Sequence, residues 1–238
     1  MVRLRGGVAA VALVLVAATG CEVDTRGSAG PGENPGGGGD ALAAAEALTV
    51  KGRAPRTGYD RDEFGSPWAD TNSNSCGTRD DILKRDLEGL KFRDDDCTVV
   101  SGVLDPDPYT GGEVPYVRGR SRIDVDHIVA LSDAWQKGAQ QWDASKRIAL
   151  ANDPINLVAV DSGTNRSKGD GDTATWLPPN KAYRCTYVAA QVAVKTKYGL
   201  WVTSAEQSAM KRVLTTCPEQ KLPTGGNPTK APNRFHAD

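Results

Sequence analysis

Histidine is almost missing from this 238-residue chain: there are two, and one of them, His236, lies at the end of a Gly/Pro-rich polar stretch. A site assembled from several imidazoles is therefore excluded, and His127 alone is left for imidazole chemistry in the part that can fold. Cysteine is also scarce, with five residues, none in CxxC spacing and none beside a histidine, which argues against a structural zinc site. A net charge of −1 excludes a strong polycation. No internal repeat is present. The one long apolar run, residues 8–18 (VAAVALVLVAA), is too short to remain as a membrane-spanning helix.

That run follows Arg3 and Arg5 and precedes Thr19, Gly20 and Cys21, the order of a secretory signal. The ATGC ending resembles a bacterial lipobox, although Ala18 stands where Leu is commoner. The expectation is a signal peptide over 1–20 and a lipid on Cys21. The chain is then exported, as an outward-facing membrane lipoprotein or a secreted protein. Residues 22–45 are rich in Gly, Pro, Ala and acidic residues with no apolar period to bury, and 21–50 is read as the lipidated Cys and a flexible tether. Residues 51–222 are long enough for one domain with its own core, and 223–238 read as a disordered tail.

Setting Cys21 aside leaves Cys76, Cys97, Cys185 and Cys217, an even number in an oxidising setting. Over 181–198 apolar residues recur at Tyr183, Tyr187, Ala190, Val194 and Tyr198, a helical spacing closed by Gly199. A second helix starts at a capping box formed by Thr203 and Glu206, continues through Met210, Val213 and Leu214, and stops at Pro218. The short connection makes the two helices antiparallel, bringing Cys185 beside Cys217 and leaving Cys76 for Cys97. Upstream, a helix is expected over 78–90, and strand-like runs at 98–104 and 113–117 flank DPYTGG, which reads chiefly as a turn; Asp107 and Tyr109 are candidates to line the cleft, a role that spacing alone does not assign. Trp135, Trp142, Trp176 and Trp201 each stand among Ala, Leu or Pro and read as packing residues.

Charge is uneven along the chain. Residues 51–117 hold 9 Lys+Arg against 14 Asp+Glu, and 118–238 hold 17 against 11. The second part is the one expected to approach phosphates.

Residues 122–131 (RIDVDHIVAL) suggest a strand with an acid and a histidine at its end. A long insertion follows, with helical stretches at 133–139 and 144–151, stopped by Pro154. A second strand, 156–160 (NLVAV), leads into DSGTNRSKGDGD, a polar turn entering a helix. Through Asp126-His127, the NLV that begins at Asn156 and NRSKGD over 165–170, the sequence resembles the HNH nucleases (ββα-metal or His-Me finger), and most closely their exported bacterial DUF1524-type branch. DPYTGG, the Trp135 and Gly138 of AWQKGA, ANDPINLVAV and TWLPP fit that branch too. The resemblance covers residues 75–217. It implies an α+β fold, in which a ββα-metal core carries an N-terminal helix, a β-hairpin and a disulfide-braced C-terminal helix pair.

Hydrolysis of a phosphodiester needs a base for the attacking water and a cation for the charge that builds on phosphorus. His127 suits the first task. Asp126 and Asn165 supply a carboxylate and an amide oxygen for a hard cation, Mg²⁺ or Mn²⁺. Asn165 stands where the family's name has a second His, a known variant. In the family the middle Asn, here Asn156, orients the histidine. Arg166 and Lys168 are candidates for binding a substrate phosphate, and Asp170 and Asp172 read as turn or cap residues. One steric condition applies: neighbours on a strand point to opposite faces, so Asp126 and His127 share a site only where the strand bends or ends. The expected protein is a monomeric exported endonuclease acting on nucleic acid, DNA first. The alternatives are a non-catalytic nucleic-acid or envelope-binding lipoprotein on the same fold, and a nuclease for RNA or single strands.

Overall fold

Two antiparallel sheets organise the chain in the computed structural model, which describes Met1 and residues 40–237. The signal peptide, Cys21 and the tether up to residue 39 lie outside the described residues. No helix among those described is long and apolar enough to cross a membrane. The first sheet is β1 (Glu88–Phe92), β2 (Val99–Leu104) and β3 (Val114–Val117) in that order. The second pairs β4 (Ile123–His127) with β5 (Leu157–Asp161), so that Asp126 lies across from Val158 and His127 from Leu157. Helices α1 (Ala41–Ala47), α2 (Thr78–Asp86), α3 (Leu131–Gln136), α4 (Ala144–Ala151), α5 (Ser162–Lys168), α6 (Arg184–Tyr198) and α7 (Ser204–Leu214) pack around them. The mixed α and β content agrees with the sequence expectation.

β5 shows why its run is apolar without alternation. Leu157 and Ala159 enter the core shared with α2 and the three-stranded sheet, whereas Val158 and Val160 enter the core built on α6 and α7. A strand buried on both faces needs no polar side. β4 alternates instead. Ile123 and Val125 join the sheet core, leaving Asp124 and Asp126 on the opposite face, where α5 lies.

α6 was expected to bury one stripe, but residues 187–195 are buried all round. That places Lys195 in the interior, and the structure answers it with an ion cluster. Lys137 Nζ sits 2.6 Å from Asp133 Oδ1, 2.8 Å from Asp172 Oδ2 and 2.6 Å from Glu206 Oε2. Lys195 Nζ sits 2.9 Å from Asp133 Oδ2 and 3.0 Å from Glu206 Oε1, and Arg53 Nη2 reaches Asp133 and Asp172 at 3.0 and 2.8 Å. Burial alone would raise the Asp133 carboxyl, but the Lys195 and Lys137 charges outweigh it and hold it at about 2. Glu206 is thus drawn away from the capping box. Thr203 Oγ1 accepts from the Glu206 N–H at 3.2 Å, but the Glu206 carboxylate points to the cluster. Asp172, read as a turn residue, both accepts from Ala174 N at 3.0 Å and belongs to this cluster.

Four other expectations change. The helix over 78–90 ends at Asp86, because Leu87 is extended and Gly89 has φ +60°, and the chain pairs with β2 as an edge strand. NRSKGD does not begin as a turn: Asn165 to Lys168 lie within α5, whose first turn is capped by Asp161. The tether boundary at 50 is too late, since Ala41 and Ala45 of α1 are buried against the α6–α7 core. Residues 223–237 are not a free tail. Asn227 N donates to buried Asp153 at 3.2 Å, Lys197 Nζ donates to Asn227 O at 2.6 Å, and Ala231 is buried with Phe235 packed beside it.

Both disulfides are the pairs read from the sequence. Cys76–Cys97 ties the start of α2 to the β1–β2 loop, and Cys185–Cys217 ties the first turn of α6 to the end of α7. Reducing them is expected to lower stability by ~2–4 kcal/mol each. A melting temperature unchanged by dithiothreitol, with free thiols verified, would contradict this. Lys137→Met leaves three buried carboxylates with two cations and should lower the unfolding free energy by ~3–5 kcal/mol. The measurement is a urea titration, and an unmoved midpoint would mean that the cluster does not hold the fold.

Candidate active site

β4 ends at His127, and this satisfies the steric condition on neighbours. Beyond it the backbone turns away under the control of Asn156: Ile128 N donates to Asn156 O and Val129 N to Asn156 Oδ1, both at 2.8 Å, and Asn156 Nδ2 donates to Leu150 O at 3.2 Å. Asn156 therefore fixes the chain that follows the histidine. The ring itself is held by Ala151 O, 2.9 Å from Nε2, and lies parallel to Trp68 with centroids 6.3 Å apart. A carbonyl can only accept, so Nε2 carries the hydrogen and Nδ1 keeps the lone pair. Burial, then the nearby Arg61 charge, push the His127 pKa down to about 3, against the opposing pull of the Ala151 hydrogen bond.

α5 supplies the other wall. Asn165 and Lys168, three apart on one helix face, both turn toward β4. Asn165 Nδ2 donates to Asp124 Oδ2 at 3.1 Å. Lys168 Nζ lies 3.1 and 2.9 Å from the two Asp126 oxygens and donates to His127 O at 2.7 Å. Tyr109 OH donates to Asp126 Oδ2 at 2.6 Å, and its pKa is raised well above the usual phenol value by burial and by the Asp126 charge. Asp107, the other candidate from DPYTGG, closes its own turn through Thr110 and accepts from Asp161 N at 3.1 Å, so it supports α5 from beneath.

These groups open into a polar cleft of about 290 Å³ lined by Asp126, His127, Asn165, Arg56, Arg61 and Asp170, among others. The structure thus brings together Asp126, His127 and Asn165. It does not bring in the two expected phosphate binders. Arg166 is exposed on the far side of α5, and Lys168 is fully buried against Asp126, because helical spacing turns it inward. Asp170, read as a cap, lines the cleft beside Arg56. Trp68, Asp124, Arg56 and Arg61 had no signal in the sequence.

Among the described residues no cluster of three or more His, Cys, Asp or Glu is placed to hold a metal. A cation would rest on the Asp126 carboxylate and the Asn165 amide. Asp126 Oδ1 takes one hydrogen bond and keeps an acceptor direction, and with Nδ2 on Asp124 the Asn165 Oδ1 is left to accept. That donor set, in an open polar cleft, fits a hard cation that retains most of its waters.

Fold and site together define a disulfide-braced α+β domain whose polar cleft is built on a strand pair and the helix after it. Residues 77–213 match the C-terminal domain of GmrSD restriction endonucleases, and the chain belongs to that family, which makes it a nuclease domain. It is also similar to an "uncharacterized secreted protein" of the fungus Arthroderma benhamiae, 41% identical over 172 residues that cover 71% of this chain and 81% of the relative. No solved structure matches.

The folded protein keeps His127 neutral down to about pH 3, whereas the unfolded chain takes up a proton near 6.5. The unfolded state binds more protons in that interval, so stability is complete above 6.5 and declines as the pH falls toward 3. Asp133, held at about 2 against an ordinary 3.8, adds its own loss only below 3.8. Melting temperatures should therefore fall on acidification from pH 6.5, and His127→Gln should flatten the slope above pH 4. Parallel curves for the two proteins would assign the slope elsewhere.

Proposed function

We propose that this chain is an exported, metal-dependent endonuclease of the HNH (ββα-metal) type that hydrolyses phosphodiester bonds, with DNA as its substrate. The observation that carries this is the convergence of a neutral imidazole, a carboxylate from β4 and an amide from α5 on one open cleft. His127 Nδ1 takes the proton of the water that attacks phosphorus, while the Nε2 hydrogen bond to Ala151 O fixes the ring. Asn156 keeps the chain after His127 from moving with it. Mg²⁺ or Mn²⁺, held by Asp126 and Asn165, would supply charge stabilisation at the phosphoryl and leaving oxygens. Lys168 and Tyr109 position the Asp126 carboxylate from behind, which replaces the phosphate-binding role read from the sequence for Lys168. Export is supported by the signal-like N-terminus, by the two disulfides and by the secreted relative, and Cys21 is proposed to carry the lipid that tethers the domain to a membrane.

The test is incubation of the mature, lipid-free chain with plasmid, single-stranded DNA and RNA in Mg²⁺, Mn²⁺ or EDTA. Cleavage of plasmid in the divalent ions and none in EDTA is expected. His127→Ala should lower the rate by ~10²–10⁴-fold or more while Mn²⁺ still binds, whereas Asp126→Ala and Asn165→Ala should weaken Mn²⁺ binding. Absence of cleavage of any nucleic acid with any divalent ion would turn the reading toward a binding module. Equal loss of Mn²⁺ affinity in His127→Ala and Asp126→Ala would make the histidine a ligand.

A further inference from the structure

The segment 53–68 precedes the residues that match the nuclease family, yet it lines the cleft. It is anchored along its length. Arg53 enters the buried ion cluster through Asp133 and Asp172, and Ala54 N donates to Gln136 O at 2.9 Å. Trp135 Nε1 donates to Thr57 O at 3.3 Å, and the Tyr59 ring packs edge-on against Phe64 and Trp135 at 6.3 and 6.1 Å. At the far end Arg147 holds Glu63, with Nε on its main-chain oxygen and Nη2 on its carboxylate, both at 2.7 Å. Between these anchors the strap presents Arg56 and Arg61 to the cleft.

Neither guanidinium donates a hydrogen bond to the protein among the described residues. Arg85, Arg118 and Arg147 each donate to main-chain carbonyls. Arg56 lies over the Tyr59 ring at 4.9 Å, and its one carboxylate neighbour, Asp170, is 3.5 Å away in an exposed pair of the kind that solvent largely screens. Arg61 makes no ion pair among the described residues, and it also lines the small hollow that Trp68 and His127 share. The motif helix meanwhile offers the cleft no cation of its own, because Arg166 faces solvent and Lys168 is committed to Asp126. A site that binds a polyanion and builds negative charge at phosphorus takes its basic side chains from the strap.

We propose that Arg56 and Arg61 are the phosphate-binding residues of this site. Arg61 takes a non-bridging oxygen of the scissile phosphodiester beside His127, and Arg56 exchanges Asp170 for a neighbouring phosphate of the same strand. The proposal rests on the nuclease reading of the cleft. A planar guanidinium matches two phosphate oxygens at once, and an arginine beside the reacting phosphate strengthens its interaction as charge develops.

The experiment uses the full mature chain in two forms. In a His127→Ala background, with EDTA added to suppress residual cleavage, binding of a labelled duplex is followed by anisotropy over a series of NaCl concentrations. Arg56→Ala and Arg61→Ala should each weaken binding and reduce the slope of log affinity against log salt by about 1, with Arg→Lys at either position retaining the slope. In the cleaving protein, Arg61→Ala should lower kcat by ~10²–10³-fold with Mn²⁺ affinity unchanged, whereas Arg56→Ala should act on KM. Arg61→Gln, which keeps the packing of the stem, replaces the alanine variant if that one melts early. Unchanged salt slopes in both variants of a protein that cleaves and binds DNA would overturn this proposal and leave the nuclease reading intact. A wild-type chain that neither cleaves nor binds nucleic acid would remove both.

Discussion

Three cations and three carboxylates meet at Arg53, Lys137, Lys195, Asp133, Asp172 and Glu206, and they tie the strap, α3 and the turn after α5, which flank the cleft, to α6 and α7. Buried charges are tolerated only when paired and well oriented, and removing one leaves the others uncompensated. The six groups come from the strap, α3 and its exit, the turn after α5, α6 and α7. Closing this balanced set fixes the end of α5 relative to α3, and α3 follows directly on the strand end that carries His127. A hydrophobic cluster of the same volume would accept small slides of these elements, whereas ion pairs of 2.6 to 3.0 Å do not.

On that frame the site follows from two periods. β4 alternates, so Asp124 and Asp126 share the face covered by α5, and the strand stops where the next residue must turn into the cleft. α5 repeats every three to four residues, so Asn165 and Lys168 meet those two carboxylates in order. The pairing of a period of two with a period near four means that Lys168 balances the Asp126 charge while leaving one acceptor direction on Oδ1.

What could be read from the sequence was local. Asp126-His127 at a strand end, the apolar run of β5 and the Cys185–Cys217 closure of a helix hairpin are each encoded within a short window of spacing, and all three are found. What could not be read depends on partners far along the chain. Glu206 has the spacing of a capping box, and only the fold brings Lys137, 69 residues away, to compete for its carboxylate. The stretch 223–238 has the composition of a disordered tail, yet residues 223–237 dock, and of its two glycines Gly226 is the one that allows the close approach. A Cβ on Gly226, at φ +89°, would lie 2.4 Å from Asp153 Oδ1 and 2.7 Å from Lys197 Nζ. The same residue type signals freedom in an isolated chain and close approach in a packed one.

Charge averaging misled in the same way. Residues 118–238 carry the basic excess, and two cations of the motif, Arg166 and Lys168, are the natural candidates for phosphate. Helix geometry removes both, one outward and one into the core. The cations that line the cleft belong instead to the acidic part of the chain, where Asp60, Asp62 and Glu63 surround Arg61 in sequence and cancel it in any sum. Anchoring separates them in space: Arg147 draws the Glu63 carboxylate to itself, and Arg61 is left as a charge on the cleft wall. A sum over sequence weighs every charge equally, but a substrate meets only those that neighbouring side chains have not already neutralised.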